Sequence, residues 1–255
     1  MRKITRLNEL NIMSSIGKYT DKATPPRNDA WRMFDRIAHR YDFLNHVLSM
    51  RRDVAWRKRL SDLLPSRNDL RVLDLATGTG DVLLALRSDC ARVRSGIGVD
   101  MAAKMLALGK QKFEDTGHAT ALRMVRGDAT CLAIASDRFD VVTNSFGIRN
   151  VSDVDAALRE MRRVLKPGGR ALILEFSLPS NAILRWGYLL YFRHVLPHIG
   201  GIVSGDSYAY RYLNQTVETF PYGDAFCERM RAAGFRDVAF HPLTLGIAMI
   251  YQGDR

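Results

Sequence analysis

The spacing of hydrophobic positions changes along this chain, and the changes mark its elements. Between 29 and 64, Trp31, Phe34, Ile37, Ala38 and Tyr41 recur every three or four residues. Val47, Leu48, Val54, Leu60, Leu63 and Leu64 continue the stripe until Pro65. That period predicts helix. Beyond about 70 the pattern becomes short apolar runs separated by amphipathic stretches. Strands are predicted near 71–76, 95–100, 122–127, 139–144 and 170–176, with helices near 81–88, 102–113 and 153–166. The last helix carries the fullest set of signals. Ser152 can cap it with Asp155 three residues on, Val154, Leu158, Met161 and Leu165 form one stripe, and Pro167-Gly168-Gly169 ends it. Short apolar strands alternating with helices imply a parallel sheet covered on both faces.

The alternation is interrupted over 180–215, where Trp186, Tyr188, Tyr191, Phe192, Tyr208, Tyr210 and Tyr212 cluster. A helix near 223–233 stops at Gly234. Two further strands, near 237–244 and 247–252, flank Leu245-Gly246 and predict an antiparallel pair closing the sheet. Three regions follow: a polar, flexible N-terminal segment (1–28), a helical lid (29–66), and an α/β domain (67–255) with an insertion near 180–222 on the substrate side.

Composition adds one constraint. Lys and Arg total 38 against 27 Asp and Glu, a net charge of +11 that favours an anionic partner or surface. Cys90, Cys131 and Cys227 lie far apart, outside any CxxC or Cys/His pattern, so neither a metal site nor a disulfide framework is expected. With no apolar run of membrane-spanning length and no signal-peptide core, the expected location is cytoplasmic, with room for peripheral contact with an anionic membrane.

The candidate chemistry begins at the first strand. Val72-Leu73-Asp74-Leu75-Ala76 runs into Thr77-Gly78-Thr79-Gly80, and Asp100 ends the second strand next to Met101. Glycines let backbone approach a ligand closely, and a carboxylate at the next strand tip can accept from two ribose hydroxyls. The dinucleotide fingerprint would need a third glycine where Leu83 stands. An acid inside the strand, four residues before Gly78, instead resembles the turn of S-adenosylmethionine-dependent methyltransferases. Arg126-Gly127-Asp128-Ala129 places an acid and a small residue where an adenine edge would be read, and Ser145 follows the fourth strand. The candidate donor-binding residues are therefore Asp74, Thr77, Gly78, Thr79, Gly80, Asp100, Met101, Asp128, Ala129 and Ser145.

Longer motifs narrow the resemblance. Tyr41-Asp42-Phe43-Leu44-Asn45 with Ser49 and Trp56, Ser145-Phe146-Gly147-Ile148-Arg149-Asn150-Val151 with Arg163-Val164-Leu165-Lys166-Pro167-Gly168-Gly169, and Tyr210-Arg211-Tyr212-Leu213-Asn214 with Phe220-Pro221 resemble the signatures of the UbiE-type ubiquinone/menaquinone biosynthesis C-methyltransferases. The likeness covers roughly 29–250. It departs at Leu44, where the signature usually has Met, and at Asp53, where it usually has His. No role of that histidine carries over. Leu196-Pro197-His198-Ile199-Gly200-Gly201 is closer to the menaquinone branch.

The resemblance implies a class I, Rossmann-like methyltransferase fold with a seven-stranded, mostly parallel sheet ending in an antiparallel pair. It also implies S-adenosyl-L-methionine as donor, S-adenosyl-L-homocysteine as product, and a prenylated quinol as acceptor. Demethylmenaquinol is favoured over a benzoquinol, and a homodimer is left open. Arg149 is the leading catalytic candidate, as an obligate cation that can stabilise a phenolate. Asn150 can orient a water or ring hydroxyl, Tyr41 can donate from the lid, and Glu175 is a lesser candidate for relaying protons. No Pro-Cys or Asn/Asp-Pro-Pro-Tyr motif supports nucleic-acid methylation. A soluble phenolic acceptor would use the same donor site, and a donor-binding scaffold protein is the non-enzymatic alternative.

Overall fold

A computed structural model describes residues 29–49, 51–195 and 207–255. The helical stretch before the sheet is broken in two, α1 (Ala30–Leu48) and α2 (Arg52–Asp62). No glycine or proline marks the break. Arg51 adopts a left-handed backbone, φ 60°, and Arg52 N donates to Ser49 O. The alternating domain follows as β1 (Leu70–Leu75), α3 (Asp81–Asp89), β2 (Val93–Asp100), α4 (Ala103–Asp115), β3 (Leu122–Arg126), β4 (Phe139–Ser145), α5 (Val154–Val164) and β5 (Leu165–Phe176). The insertion supplies α6 (Ala182–Leu190), a wider helical turn at Tyr191–Val195, and α7 (Ser207–Thr219). The chain closes with α8 (Asp224–Ala232), β6 (Arg236–Leu243) and β7 (Ala248–Asp254).

The seven strands lie in the order β3-β2-β1-β4-β5-β7-β6. Neighbours from β3 through β5 pair in parallel, and β7 runs antiparallel to both β5 and β6. This is the predicted doubly wound sheet with its antiparallel end. Period-two alternation explains its two cores. Leu73, Val142, Ile173 and Tyr251 face α5 and α8, while Val72, Val141, Leu172 and Ile250 face α2 and α3. Trp56 and Leu60 of α2 belong to that second core. The segment 29–66 therefore divides. Its α2 half is packed on the sheet, and only α1 reaches across the strand tips.

Two local expectations differ. Asp153, not Ser152, caps α5, with its Oδ1 accepting from Ala156 N at 2.9 Å. Either residue is chemically competent, and Asp153 is the one with the extended backbone (φ −132°) that a cap requires. Leu165 does not extend the α5 stripe. It turns extended and begins β5, so Pro167-Gly168-Gly169 lies within the irregular start of that strand. The menaquinone-branch motif at 196–201 falls outside the described residues.

The winding direction reverses between β1 and β4. In such sheets the ligand crevice opens at the carboxyl ends of the strands flanking that point. The Ala76–Gly80 turn and the Ser145–Asn150 segment both emerge there.

Candidate active site

The turn after β1 is built on left-handed backbone at Ala76, Gly78 and Gly80. Gly80 is required twice over. Its φ is +79°, and a Cβ there would lie 2.4 Å from Met124 Cε and 2.8 Å from Phe113. Asp74 lies beneath the turn and is buried, with its two oxygens accepting from Thr77 Oγ1 and Thr143 Oγ1, each at 2.6 Å. Burial outweighs those bonds and pushes the Asp74 carboxyl up to about 6. Asp100 clamps the turn from β2. Its Oδ2 accepts from Gly78 N at 2.9 Å and its Oδ1 from Ala102 N at 2.8 Å, and burial raises its pKa as well.

α1 is fastened over this turn by charge. Thr79 Oγ1 donates to Asp42 Oδ1 at 2.6 Å, and Lys112 reaches Asp42 at 2.5 Å, Asp81 at 2.7 Å and Thr79 Oγ1 at 3.0 Å. Asp35 adds a cap from outside the helix it serves, accepting from Lys104 N at the start of α4 at 2.7 Å. Neither clasp has a local sequence signal, because the partners lie 31 to 70 positions apart.

Two cavities meet here. The first, about 360 Å³, is lined by Gly78, Asp100, Met101, Asp128, Ala129 and Asn150, with Trp31, Phe34 and Tyr41 from α1. The second, about 100 Å³, is lined by Thr77, Thr79, Ser145, Arg149, Asp53 and Arg57, with apolar walls from Met33, Ile37, Phe176 and Leu213. Phe34, Tyr41, Ala76 and Phe146 line both. The donor candidates are thus divided. Five border the first cavity, Thr77, Thr79 and Ser145 border the second, and Asp74 and Gly80 shape the turn while lining neither. Arg149 and Asn150 likewise face different cavities, and Tyr41 stands between them.

Phe146 is the residue that sequence reasoning missed. Its backbone is left-handed, φ 57°, which is uncommon for an aromatic residue and typical of strained functional turns. Its ring packs on Phe176 at 4.4 Å and on Trp56 at 5.9 Å. Its carbonyl accepts from Arg149 Nη1 at 2.7 Å and from Asn150 Nδ2 at 3.3 Å. Arg149 also pairs with Glu175 Oε1 at 2.6 Å. Both partners are buried, and desolvation raises the Glu175 carboxyl despite the guanidinium. Among the described residues nothing bonds to Arg149 Nε, Glu175 Oε2 or Asn150 Oδ1. Asp53, at the position of the signature histidine, accepts from Ser49 Oγ at 2.6 Å and is ion-paired with Arg57, which also reaches Asp81 at 2.9 Å. No group of His, Cys, Asp and Glu among the described residues could hold a metal ion.

The first cavity suits a nucleoside carrying a charged amino-acid arm. Asp100 and Asp128 offer acceptors at two strand tips, Ala129 offers a small edge, and Gly78 leaves room, since a Cβ there would meet only Tyr41 Cε1 at 3.5 Å. Solved structures share the fold. A Thermotoga maritima protein described as a SAM-dependent methyltransferase and possible histamine N-methyltransferase superposes with TM-score 0.62 at 19% identity, covering 88% of this chain and 99% of its own. A putative methyltransferase from Haloferax volcanii, in complex with the Trm112 activator, gives 0.61 at 19% identity, covering 87% and 96%. The fold is that of the class I S-adenosylmethionine-dependent methyltransferases.

The relationship by sequence is nearer. The profile of the ubiE/COQ5 methyltransferase family matches residues 26–255, and the chain belongs to that family. It is 45% identical to the demethylmenaquinone methyltransferase of Thermus thermophilus, over 88% of this chain and all of that protein. It is 44% identical to the ubiquinone/menaquinone biosynthesis C-methyltransferase UbiE of Geotalea daltonii, over 92% and 99%.

Proposed function

We propose that this enzyme methylates a ring carbon of a prenylated quinol in respiratory quinone biosynthesis, with demethylmenaquinol as acceptor. The carrying observation is the pair of cavities joined at Tyr41 and Phe146, one bordered by ligand-accepting acids and the other apolar with Arg149 in its wall. When bound, the donor supplies an electrophilic methyl group on a sulfonium. In this reading Asp100, Asp128 and the Gly78 region hold it, while Asp74 and Gly80 shape the turn from beneath.

The chain's own part in catalysis is to orient the ring and manage two protons. Holding the ring carbon in line with the methyl contributes up to about 7–11 kcal/mol, by effective-molarity arguments. One phenolic proton leaves as the carbon attacks, the ring proton leaves afterwards to restore aromaticity, and the oxygen takes a proton back, so one proton is released for each methyl transferred. Arg149 stabilises the phenolate, an effect of about 3 kcal/mol for a preorganised donor of this type. Glu175 lines neither cavity, so with its raised pKa and its contact to Arg149 it is placed to take a proton only through a water. Tyr41 and Asn150 approach from the donor side and orient a ring hydroxyl. The net charge of +11 supports peripheral contact with an anionic membrane, where such a quinol resides.

Methyl-labelled S-adenosylmethionine, offered with demethylmenaquinol, a demethylated benzoquinol and a short soluble phenol, tests the reading. Label is expected in the naphthoquinol. Label in the phenol alone would overturn it, and label in the benzoquinol alone would reassign the acceptor.

A further inference from the structure

We infer that α6 and the Thr244–Gly246 loop form one docking surface for an anionic phospholipid bilayer, and that the acceptor's tail leaves the enzyme beneath it. Ile183, Trp186 and Leu190 follow one another at helical spacing on α6 and are 79%, 68% and 48% exposed, with Leu184 beside them at 43%. Large apolar side chains exposed in a stripe mark an interaction surface rather than ordinary scatter.

A second segment, distant in sequence, reaches the same place. Leu245 is 73% exposed, on a loop where it and Thr244 both hold left-handed backbone, φ 57° and 45°. That loop is anchored against the entrance to α6. Ser177 Oγ donates to Gly246 O at 2.5 Å, and a Cβ on Gly246 would lie 3.4 Å from Pro179 Cα. Strained backbone that holds a leucine out in water needs a use for the leucine.

Charge selects the partner. From Phe176 to Gly205 the chain has no Asp or Glu, and α6 itself carries Arg185, while Arg193 just beyond it is paired with Glu218 of α7 at 2.5 Å. An apolar stripe with tryptophan and Arg185, on a helix without acids in a chain of net charge +11, complements an anionic lipid surface and would be a poor match for a basic protein face.

The inward face of the same element explains why the surface lies here. Tyr188 stacks on Phe192 with ring centroids 5.1 Å apart. These rings and Tyr191 line a third cavity of about 60 Å³, which shares Ser49, Phe176 and Leu213 with the acceptor cavity. An apolar path therefore runs from beside Arg149 to the underside of the helix whose outer face is exposed. This tail route rests on the proposed acceptor, whereas the docking surface does not.

The full-length protein can be mixed with phosphatidylcholine vesicles made with or without phosphatidylglycerol, some carrying brominated acyl chains. Binding should require phosphatidylglycerol, and bromolipid quenching should vanish in Trp186→Phe. The exposed-face variant Ile183→Ser/Leu245→Ser should bind about tenfold more weakly at an unchanged melting temperature. It should also lose turnover of a long-tailed quinol in vesicles while keeping turnover of a tail-less quinol in solution. Unchanged vesicle binding in that variant, binding indifferent to phosphatidylglycerol, or a concentration-dependent dimer abolished by it would overturn the assignment. Failure of both quinols, with vesicle binding intact, would instead count against the proposed reaction.

Discussion

Arg149 and Glu175 form a buried ion pair, so neither can be altered alone without consequence for the fold. Arg149→Ala leaves the Glu175 carboxyl buried at 1% exposure without its cation, and we expect a loss of roughly 3–5 kcal/mol of stability. The double variant Arg149→Met/Glu175→Gln removes both charges and should recover most of that stability. It should still lose about 10²- to 10³-fold in kcat with donor affinity intact. Thermal unfolding and calorimetry separate the two effects, and native turnover in the double variant would remove the pair from catalysis. The turn glycines make a second contrast. Gly80→Ala forces a Cβ into Met124 and Phe113 on left-handed backbone and should cost about 2–5 kcal/mol. Gly78→Ala is also on left-handed backbone but meets only Tyr41, so it should cost the smaller backbone penalty of about 1–2 kcal/mol and weaken donor affinity besides.

Among the elements, α1 is held at its inner end by the partly exposed, individually weak ion pairs of Lys112 with Asp42 and Asp81, and by a bond from buried Thr79 to Asp42. Lys112→Met should leave the melting temperature nearly unchanged and weaken donor binding about fivefold, the equivalent of one such contact. Hydrogen exchange should accelerate in α1 and stay constant in β1 and β4. Equal protection of α1 in both proteins would show that the clasp is ornamental. Elements were also where sequence reading worked best. The strands were legible because each is a short apolar run bounded by polar turns, and the antiparallel end because Leu245-Gly246 interrupts two such runs. The break between α1 and α2 was not legible, because Arg51 supplies the left-handed turn that a glycine would have advertised. Ser152 and Asp153 compete chemically as caps, and backbone conformation chose between them. The candidate residues were legible as strand-tip motifs. Their division between two cavities was not, because it depends on the strained Phe146 ring and on α1 crossing above the sheet.

Across the whole molecule, the buried carboxylates set a pH dependence. Asp74 titrates near 6 in the fold and near the ordinary carboxylate value when unfolded, so the native state holds its proton more tightly. Its contribution to stability is present below about pH 4 and is lost as pH rises through about 6, a change of about 3 kcal/mol. Asp100 and Glu175 shift in the same direction. Denaturant unfolding between pH 4 and 7 should therefore show stability falling, with a shallower fall in Asp74→Asn, which keeps partners for Thr77 and Thr143 without a buried charge. A native slope that the substitution leaves unaltered would contradict this assignment.

The account depends most on a methyl group reaching a quinol ring carbon. Deleting the gene in its host and weighing the extracted quinones measures this directly. The account predicts that the prenylated naphthoquinone pool becomes lighter by one methyl group, is restored by the native gene, and is not restored by the Arg149→Met/Glu175→Gln form. Quinones of unaltered mass in the deletion strain would contradict it.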